Sequence, residues 1–395
     1  MNMTIKIAHM ADTHLGYKQY GLNERENDFY KTFEKIIDDI ISKDVDYVLH
    51  AGDLFEHPKP PIKALLVAQK GFEKLLENNI PIFVIAGNHD SIQRKNTSIP
   101  QELYKNENFH IINHKNYNFT LDEDIFLVGL EYFNRSYEGV EPFLKNTLDE
   151  AKKHRIKLLM LHGSVSKYFD FEPEFELKTI PEGYDYYAMG HLHGRINDKF
   201  KGGILSYPGS TEIRTKSEIP NYQKNGKGYN LVTIGDDNKI DVEFINIPLE
   251  RKFIIKSIEY PKLDETLNKL SEKLESMDSS KKPVVYLTIK NGNFERSEVA
   301  QQIYDKLEEK VLTLRIKYEP TQVIENLPET IDKENITPEN IIKEKIEDQF
   351  NEDVASLAVE LYKNLSEKNI PEAQNVADKY YNKFYNNIGE EHDNK

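Results

Sequence analysis

Asp, His and Asn recur in five short clusters along this chain: Asp12-Thr13-His14, Gly52-Asp53-Leu54-Phe55, Gly87-Asn88-His89-Asp90, Leu161-His162-Gly163 and Gly190-His191-Leu192-His193. Their candidate metal ligands are Asp12, His14, Asp53, Asn88, His162, His191 and His193. These are too few for two separate closed sites and enough for two ions that share one carboxylate. A dinuclear centre of this kind hydrolyses phosphate esters, because the ions polarise the phosphoryl oxygens and make water acidic. Asp and His at i and i+2 point to one side of a strand end, so Asp12 and His14 can grip one ion, and so can His191 and His193. Asp53, preceded by Gly52, is best placed to bridge. Asn88 offers a neutral carbonyl oxygen, and His162 closes the second ion. The mix of imidazole and hard oxygen suits Mn2+, with Fe2+, Co2+ or Zn2+ as alternatives, better than Mg2+ or Ca2+. Taken alone, each cluster is explained as well by a turn or a satisfied polar pair. The weight comes from all of them in order, each behind a strand.

The strands that must position these ligands are legible as short apolar runs at 6–10, 45–50, 80–86, 125–130, 157–161 and 184–189. Helical spacing appears between them at 29–42 and 63–78. Continuous apolar runs fit strands covered on both faces. Ligands of open α/β sheets gather at the strand ends, which gives the chemistry one address. A hairpin at 229–247, with Gly235-Asp236-Asp237-Asn238 at its turn, closes this part near Pro248. A β-α-β-α-β pattern follows, with strands at 253–259, 284–289 and 311–317. Its helical stripes are Leu263, Leu267, Leu270 and Leu274, then Val299, Ile303 and Leu307. The expected plan is a domain carrying these clusters at 1–248, a small α/β domain at 249–322, a linker at 323–337, a helical segment at 338–388 and a disordered tail at 389–395.

The chain has 395 residues, no Cys and a net charge of −15. The lack of Cys excludes disulfides, thiolate zinc and iron–sulfur sites and fits a reducing cytosol. No signal peptide or bilayer-spanning run is evident, so a cytoplasmic protein is expected. The charge argues against a simple polycation on nucleic acid, although roughly half of the excess lies in the last seventy or so residues.

At these motifs the chain resembles the calcineurin-like metallophosphoesterases, whose order is D-x-H, GD, GNH[DE], H, G-H-x-H, over roughly residues 4–215. More narrowly it resembles the Mre-eleven/SbcD family, nuclease subunits of a DNA double-strand-break repair nuclease–ATPase complex. That resemblance rests on Asp12-Thr13-His14-Leu15-Gly16-Tyr17, Ala51-Gly52-Asp53-Leu54-Phe55, Gly87-Asn88-His89-Asp90-Ser91 and Tyr207-Pro208-Gly209-Ser210-Thr211. It implies an α/β sandwich of two β-sheets flanked by helices, with a small α/β DNA-binding cap and a C-terminal helical tail, and it implies association with the nucleoid. One metal would take Asp12, His14, Asp53 and His193; the other would take Asp53, Asn88, His162 and His191. His89 would stabilise the phosphorane-like transition state or protonate the leaving 3′ oxygen, with Asp90 orienting its ring. The implied activities are Mn-dependent 3′→5′ exonuclease action on double-stranded ends and single-strand endonuclease action, by in-line attack of a metal-activated hydroxide. There is one departure: Glu56 stands where the family commonly has His, with His57 one place later. A carboxylate there is expected to repel phosphate.

DNA contacts are expected from Tyr17, Lys18, Gln93, Arg94, Lys95, Arg195, Arg214 and Lys216, cations with Tyr and Gln that can hold a backbone without reading bases. Ordinary solvated Lys and Arg are the competing explanation for each. In the tail, Ile342, Ile346, Phe350, Leu357, Leu361, Leu365, Val376, Tyr380 and Phe384 form apolar stripes. These either fold back or bind a partner helix groove. The resemblance implies an SMC-like ABC-type ATPase as that partner, with ATP acting only through it, and a homodimer through 63–78 and 97–105. A phosphomonoesterase or cyclic-nucleotide phosphodiesterase needs neither cap nor tail. A degenerate scaffold would have lost ligands.

Overall fold

The computed structural model describes residues 4–91, 98–133, 139–169 and 172–321, with residues 342, 343, 346, 352–366 and 369–389 of the C-terminal part. The expected linker at 323–337, the DNA contacts Gln93, Arg94 and Lys95, the partner residue Phe350 and residues 390–395 lie outside the described residues.

Residues 1–320 form one compact unit. Its first sheet has the order β12-β11-β1-β2-β3-β4, from Ile240–Asn246, Gly228–Ile234, Ile5–Met10, Tyr47–Ala51, Ile82–Ile85 and Phe109–Ile111. Strands β1 to β4 run parallel, and β11 and β12 are antiparallel additions. The second sheet has the order β5-β6-β7-β8-β10-β9, from Asn118–Leu121, Ile125–Leu130, Ile156–His162, Tyr186–Gly190, Gly203–Tyr207 and Ile196–Phe200.

Alternation along each strand builds the layers. In β1, Ile7 faces a core shared by the two sheets, with Leu49, Ile85, Leu127, Leu158 and Met160. Ala8 and Met10 face the other way, onto helices α1 (Asn23–Ser42) and α2 (Ile62–Glu77) through Phe33, Ile37, Ala68 and Phe72. On the far side, α3 (Val140–Ala151) covers the second sheet through Val140, Leu144 and Ala151, and a short helix, α4 (Ile219–Asn225), comes between β10 and β11. Strands buried on both faces read as unbroken apolar runs, which is why the sequence shows them so plainly.

Three differences from the sequence reading have physical reasons. Helix α1 starts at Asn23 rather than 29, because its first turns carry Glu24, Arg25, Glu26 and Asp28 instead of an apolar stripe. The acids suit a helix N-terminus, and Arg25 and Asp28 are buried as an ion pair. Strand β9 has polar, outward-facing alternate residues, Asn197 and Lys199, and gives no apolar signal. Helix α3 has a short apolar stripe in an otherwise mixed sequence and also went unread.

A third, parallel sheet has the order β13-β14-β15, from Phe253–Glu259, Val284–Lys290 and Thr313–Glu319. Helices α5 (Leu263–Glu275) and α6 (Arg296–Leu307) cover one face with all seven residues of the two expected Leu and Val/Ile/Leu stripes. The other face touches the sandwich through Phe253, Val284 and Tyr286, packed with Ile213 and Ile219. Arg251 reaches Asp28 at 2.7 Å, and Arg25 lies over the Phe253 ring.

The second unit covers residues 321–395. Within it, α7 (Glu352–Ser366) and α8 (Ile370–Gly389) pack on each other across a break at Asn369. Val376 is buried, Ile342, Ile346, Leu357, Leu361 and Tyr380 are half-buried, and Leu365 is exposed. The Phe384 side chain lies outside the described part of α8.

Candidate dinuclear metal centre

Every ligand cluster leaves a strand at the same edge of the sandwich. Asp12 and His14 follow β1, Asp53 follows β2, and Asn88 follows β3. His162 ends β7, and His191 and His193 follow β8. The first sheet therefore gives Asp12, His14, Asp53 and Asn88, and the second gives the other three histidines. The exits of β1 and β2 stay paired: Asp12 N–H donates to Gly52 O at 3.0 Å, and His14 N–H to Asp53 O at 3.1 Å. Asp12, His14, Asp53 and His191 adopt left-handed backbone, with φ of 53°, 44°, 55° and 95°. L-residues other than Asn and Asp rarely accept such angles, and they cluster at functional sites. The motif glycines are required by close approach. A Cβ on Gly87 would lie 2.1 Å from Asp53 Oδ1, and one on Gly190 would lie 1.9 Å from Ala51 O.

The donor atoms fall into two groups. One comprises Asp12, His14 and His193; the other comprises Asp53, His162 and His191. Within each group the donor atoms lie within 4.8 Å of one another. Asn88 Oδ1 joins the second group, 3.1 Å from both His162 Nε2 and His191 Nδ1. Asp53 Oδ2 lies 3.4 Å from His162 Nε2 and 3.9 Å from His14 Nε2, between the groups. His89 also comes within reach of His14 and Asp53.

The hydrogen bonds behind the rings test whether these residues fit cations. His162 Nδ1 donates to Ala51 O at 2.7 Å, so its Nε2 presents a lone pair. His193 Nδ1 faces Glu218 Oε1 at 3.0 Å, and His14 Nδ1 faces Glu56 Oε2 at 3.0 Å. With their Nδ1 atoms turned to carboxylates, the Nε2 atoms of His14 and His193 meet at 3.1 Å. Two imidazole lone pairs at that distance repel unless a cation lies against them, so the donor set fits metal binding.

The surroundings of His14 and His191 agree with that fit. Burial pushes His14 down to about 4 and His191 down to about 4, leaving neutral rings suited to coordination. Burial acts the same way on His162, but the Asp53 carboxylate overcomes it and holds the ring up, at about 9. Metal binding at His162 Nε2 would require that proton to leave. Burial would raise Asp53, yet His162 and the other imidazoles hold it well below the ordinary carboxylate range.

Two expectations are corrected. Asp90 does not orient His89. Its buried carboxylate accepts backbone N–H groups from Leu54, Phe55 and Gly87 at 3.2, 2.9 and 2.9 Å, stitching the Asn88 loop to the Asp53 loop. His89 Nδ1 donates instead to Glu56 O at 2.9 Å. Arg195 is not a DNA-facing cation. It is buried, donating to Pro208 O, Asn225 O, Asn246 Oδ1 and Ile245 O, and so ties together the loop after β10, the end of the helix Ile219–Asn225 and the end of β12.

The remaining candidates stay near the site. Lys18 and Lys216 are exposed, and Lys216 lies over the Tyr286 ring. Tyr17 is half-buried under Arg214, whose guanidinium is 5.0 Å from the ring centre. Glu56 does not face a substrate as a free charge: it is buried and bonded to Arg214 Nη2 at 2.6 Å. Burial raises its carboxyl, but His14 and Arg214 outweigh this and hold it at about 2. His57 is exposed.

Sequence reasoning missed the carboxylates behind the ligands. Glu218 had a signal, since Thr215-Lys216-Ser217-Glu218 is a capping box that the structure forms. Glu174, 3.6 Å from His191 Nε2 and bonded to Ser164, sits on a loop with no motif.

The calcineurin-like phosphoesterase family profile matches residues 5–195. Over 380 residues the chain is 37% identical to the DNA double-strand break repair protein Mre11 of Methanocaldococcus jannaschii, covering 95% of this chain and 98% of that one. It is 32% identical to the protein of the same name from Methanococcus maripaludis, covering 92% and 95%. It is also 32% identical to that from Sulfolobus acidocaldarius, covering 84% and 85%.

Proposed function

Since this chain belongs to the archaeal Mre11 family of calcineurin-like phosphoesterases, and is thereby a metal-dependent phosphodiesterase of the nuclease type, we propose that it trims DNA double-strand ends with two Mn2+ ions. The observation that carries this reading is the convergence of imidazole lone pairs and carboxylates into two adjoining groups with Asp53 between them. Asp12, His14, Asp53 and His193 hold one ion, and Asp53, Asn88, His162 and His191 hold the other. When bound, such a pair supplies Lewis acidity and a water acidic enough to attack phosphorus near neutral pH.

The chain's own groups do the rest. His89 keeps its Nδ1 proton on Glu56 O, so it faces the site through Nε2. In the imidazolium form, Nε2 carries a proton to the phosphorane-like oxygens or to the leaving 3′ oxygen. The ring is a quarter exposed, open enough to meet a substrate. Lys18, Lys216 and Arg214 receive the backbone phosphates, and exposed Arg315 of β15, which lies over Tyr20, extends that surface. The activities are 3′→5′ exonuclease action on duplex ends and endonuclease action on single strands, in the cytoplasm at the nucleoid.

Two assembly surfaces belong to the same reading. Helices α7 and α8 dock on an SMC-like ATPase, through which ATP acts. Helix α2 and the 3-10 turn Pro100–Tyr104 present Ile62, Leu66 and Leu103, 76%, 50% and 70% exposed, as a homodimer contact; apolar patches of this kind mark interfaces.

The test is nucleotide release from a duplex end with Mn2+, beside His89→Ala and with p-nitrophenyl phosphate as a parallel substrate. Cleavage of DNA by wild type alone, with little turnover of the small ester, is expected. Rapid turnover of the small ester with intact DNA would make the protein a phosphomonoesterase.

A further inference from the structure

Glu56 makes contacts that join a metal-ligand candidate, a catalytic-histidine candidate and a partly buried cation. It leaves β2 beside β1, with its N–H bonded to Leu15 O at 3.1 Å, so its backbone is fixed. Its side chain is 7% exposed. Oε2 lies 3.0 Å from His14 Nδ1 as an ion-pair contact, and among the described residues neither atom has a hydrogen-bond partner. Oε1 accepts from Arg214 Nη2 at 2.6 Å, and the main-chain oxygen accepts from His89 Nδ1 at 2.9 Å.

Arg214 is equally constrained. Its ring neighbour is Tyr17, its carbonyl accepts from Gln19 at 2.6 Å, and its N–H donates to Glu218 Oε1 at 3.2 Å. Glu218 is the carboxylate behind His193. The Arg214 guanidinium therefore sits on a turn held by one ligand-orienting carboxylate and is itself held by the other. A carboxylate behind a ligating imidazole fixes ring orientation and raises its basicity. An arginine fork fixed by one carboxylate keeps its remaining donors in a defined direction.

We propose that Glu56 is a positioning residue that couples two functions: it orients His14 toward its metal and it aims Arg214 at the phosphate of the bound strand. This rests on the two-metal reading above and goes beyond it, since it assigns one residue to both metal retention and substrate affinity. The carboxylate does not face phosphate as a free charge, because it is paired with the Arg214 guanidinium.

The full chain is titrated with Mn2+ by calorimetry, and dinuclear occupancy is followed by EPR, for wild type, E56A, E56Q and R214A. Metal-free melting temperatures are recorded alongside. For E56A, one Mn2+ weakens by about 10–100-fold while the other stays within about threefold. E56Q keeps an oxygen toward His14 and recovers most of that loss. For R214A both Mn2+ affinities stay within about threefold, while KM for DNA ends rises and kcat holds. Wild-type Mn2+ affinities in E56A overturn the inference, and so does a lowered melting temperature without a site-selective loss of metal. If wild type holds two Mn2+ but leaves DNA intact, the nuclease reading falls while the metal titration still decides the role of Glu56.

Discussion

The Nε2 atoms of His14 and His193 face each other at 3.1 Å, one carried by each sheet of the sandwich. Behind them stand Glu56 and Glu218, so neither ring can relieve the contact by moving its proton forward without losing a carboxylate. A cation held by both rings would link the two sheets at this edge.

Metal should stabilise the whole sandwich. Saturating Mn2+ is expected to raise the melting temperature, by linkage equivalent to about 2.7 kcal/mol at a hundredfold excess over Kd. Asp53→Asn, which removes the charge between the two groups, should abolish that rise and DNA cleavage together. Scanning calorimetry with Mn2+ and with EDTA checks this; an undiminished Mn2+ shift in D53N would show that Asp53 is no bridge.

Arg195 should prove to be a stability residue. Truncation to Ala strands acceptors at Pro208 O, Asn225 O, Ile245 O and Asn246 Oδ1. Buried unsatisfied partners of a charged donor cost about 3–5 kcal/mol. Burial lowers the Arg195 guanidinium to about 10, so it stays charged at neutral pH. Chemical denaturation of R195A should show the loss, with KM for DNA unchanged in the folded fraction; a raised KM at full stability would restore Arg195 to the DNA surface.

Glu250 ties α1 to the segment before β14 by pairing with Lys35 and, at 2.8 Å, with Lys281. Burial pushes its carboxyl upward, but the two lysines overcome this and hold it at about 2. A depressed carboxyl stabilises the fold above its ordinary pKa of 4.5 and loses that contribution as pH falls from 4.5 toward 2. Because both lysines are well exposed, the contribution is about 1 kcal/mol. Glu250→Gln should therefore be less stable than wild type at pH 7, with the gap closing below pH 4.5. A gap independent of pH, in urea melts across that range, would remove the ion pairs as its cause.

Leu66→Glu should leave the fold intact, since Leu66 is half exposed on α2, and should shift the protein toward monomer in sedimentation velocity. An unchanged sedimentation coefficient would place any dimer contact elsewhere.

The convergence of the candidate ligands was legible because metal chemistry demands particular residue types at strand ends, and strands such as β1 and β2, buried on both faces, show themselves as apolar runs. The stripe Leu263, Leu267, Leu270 and Leu274 was legible for the same reason: all four are buried on one helix face. What lay behind the ligands was not. Glu56 and Glu174 reach His14 and His191 from loops, and nothing in local spacing reports which acid folds behind which ring. Arg195 misled because a sequence places Lys and Arg at the surface by default, whereas here irregular carbonyls recruit the guanidinium inward. Asp90 misled because its neighbour in sequence, His89, points elsewhere; its partners are backbone N–H groups from two loops.

The left-handed angles at Asp12, His14, Asp53 and His191 set folding and chemistry against each other at single residues. Each non-glycine residue held there costs about 1 kcal/mol or more. Under laboratory selection for heat resistance alone, with DNA cleavage not required, these four positions should be among the first to drift, toward Gly or Asn. The variants recovered would be firmer proteins with an empty edge, a signature distinguishable by sequencing from the scattered surface changes that stabilise without touching function.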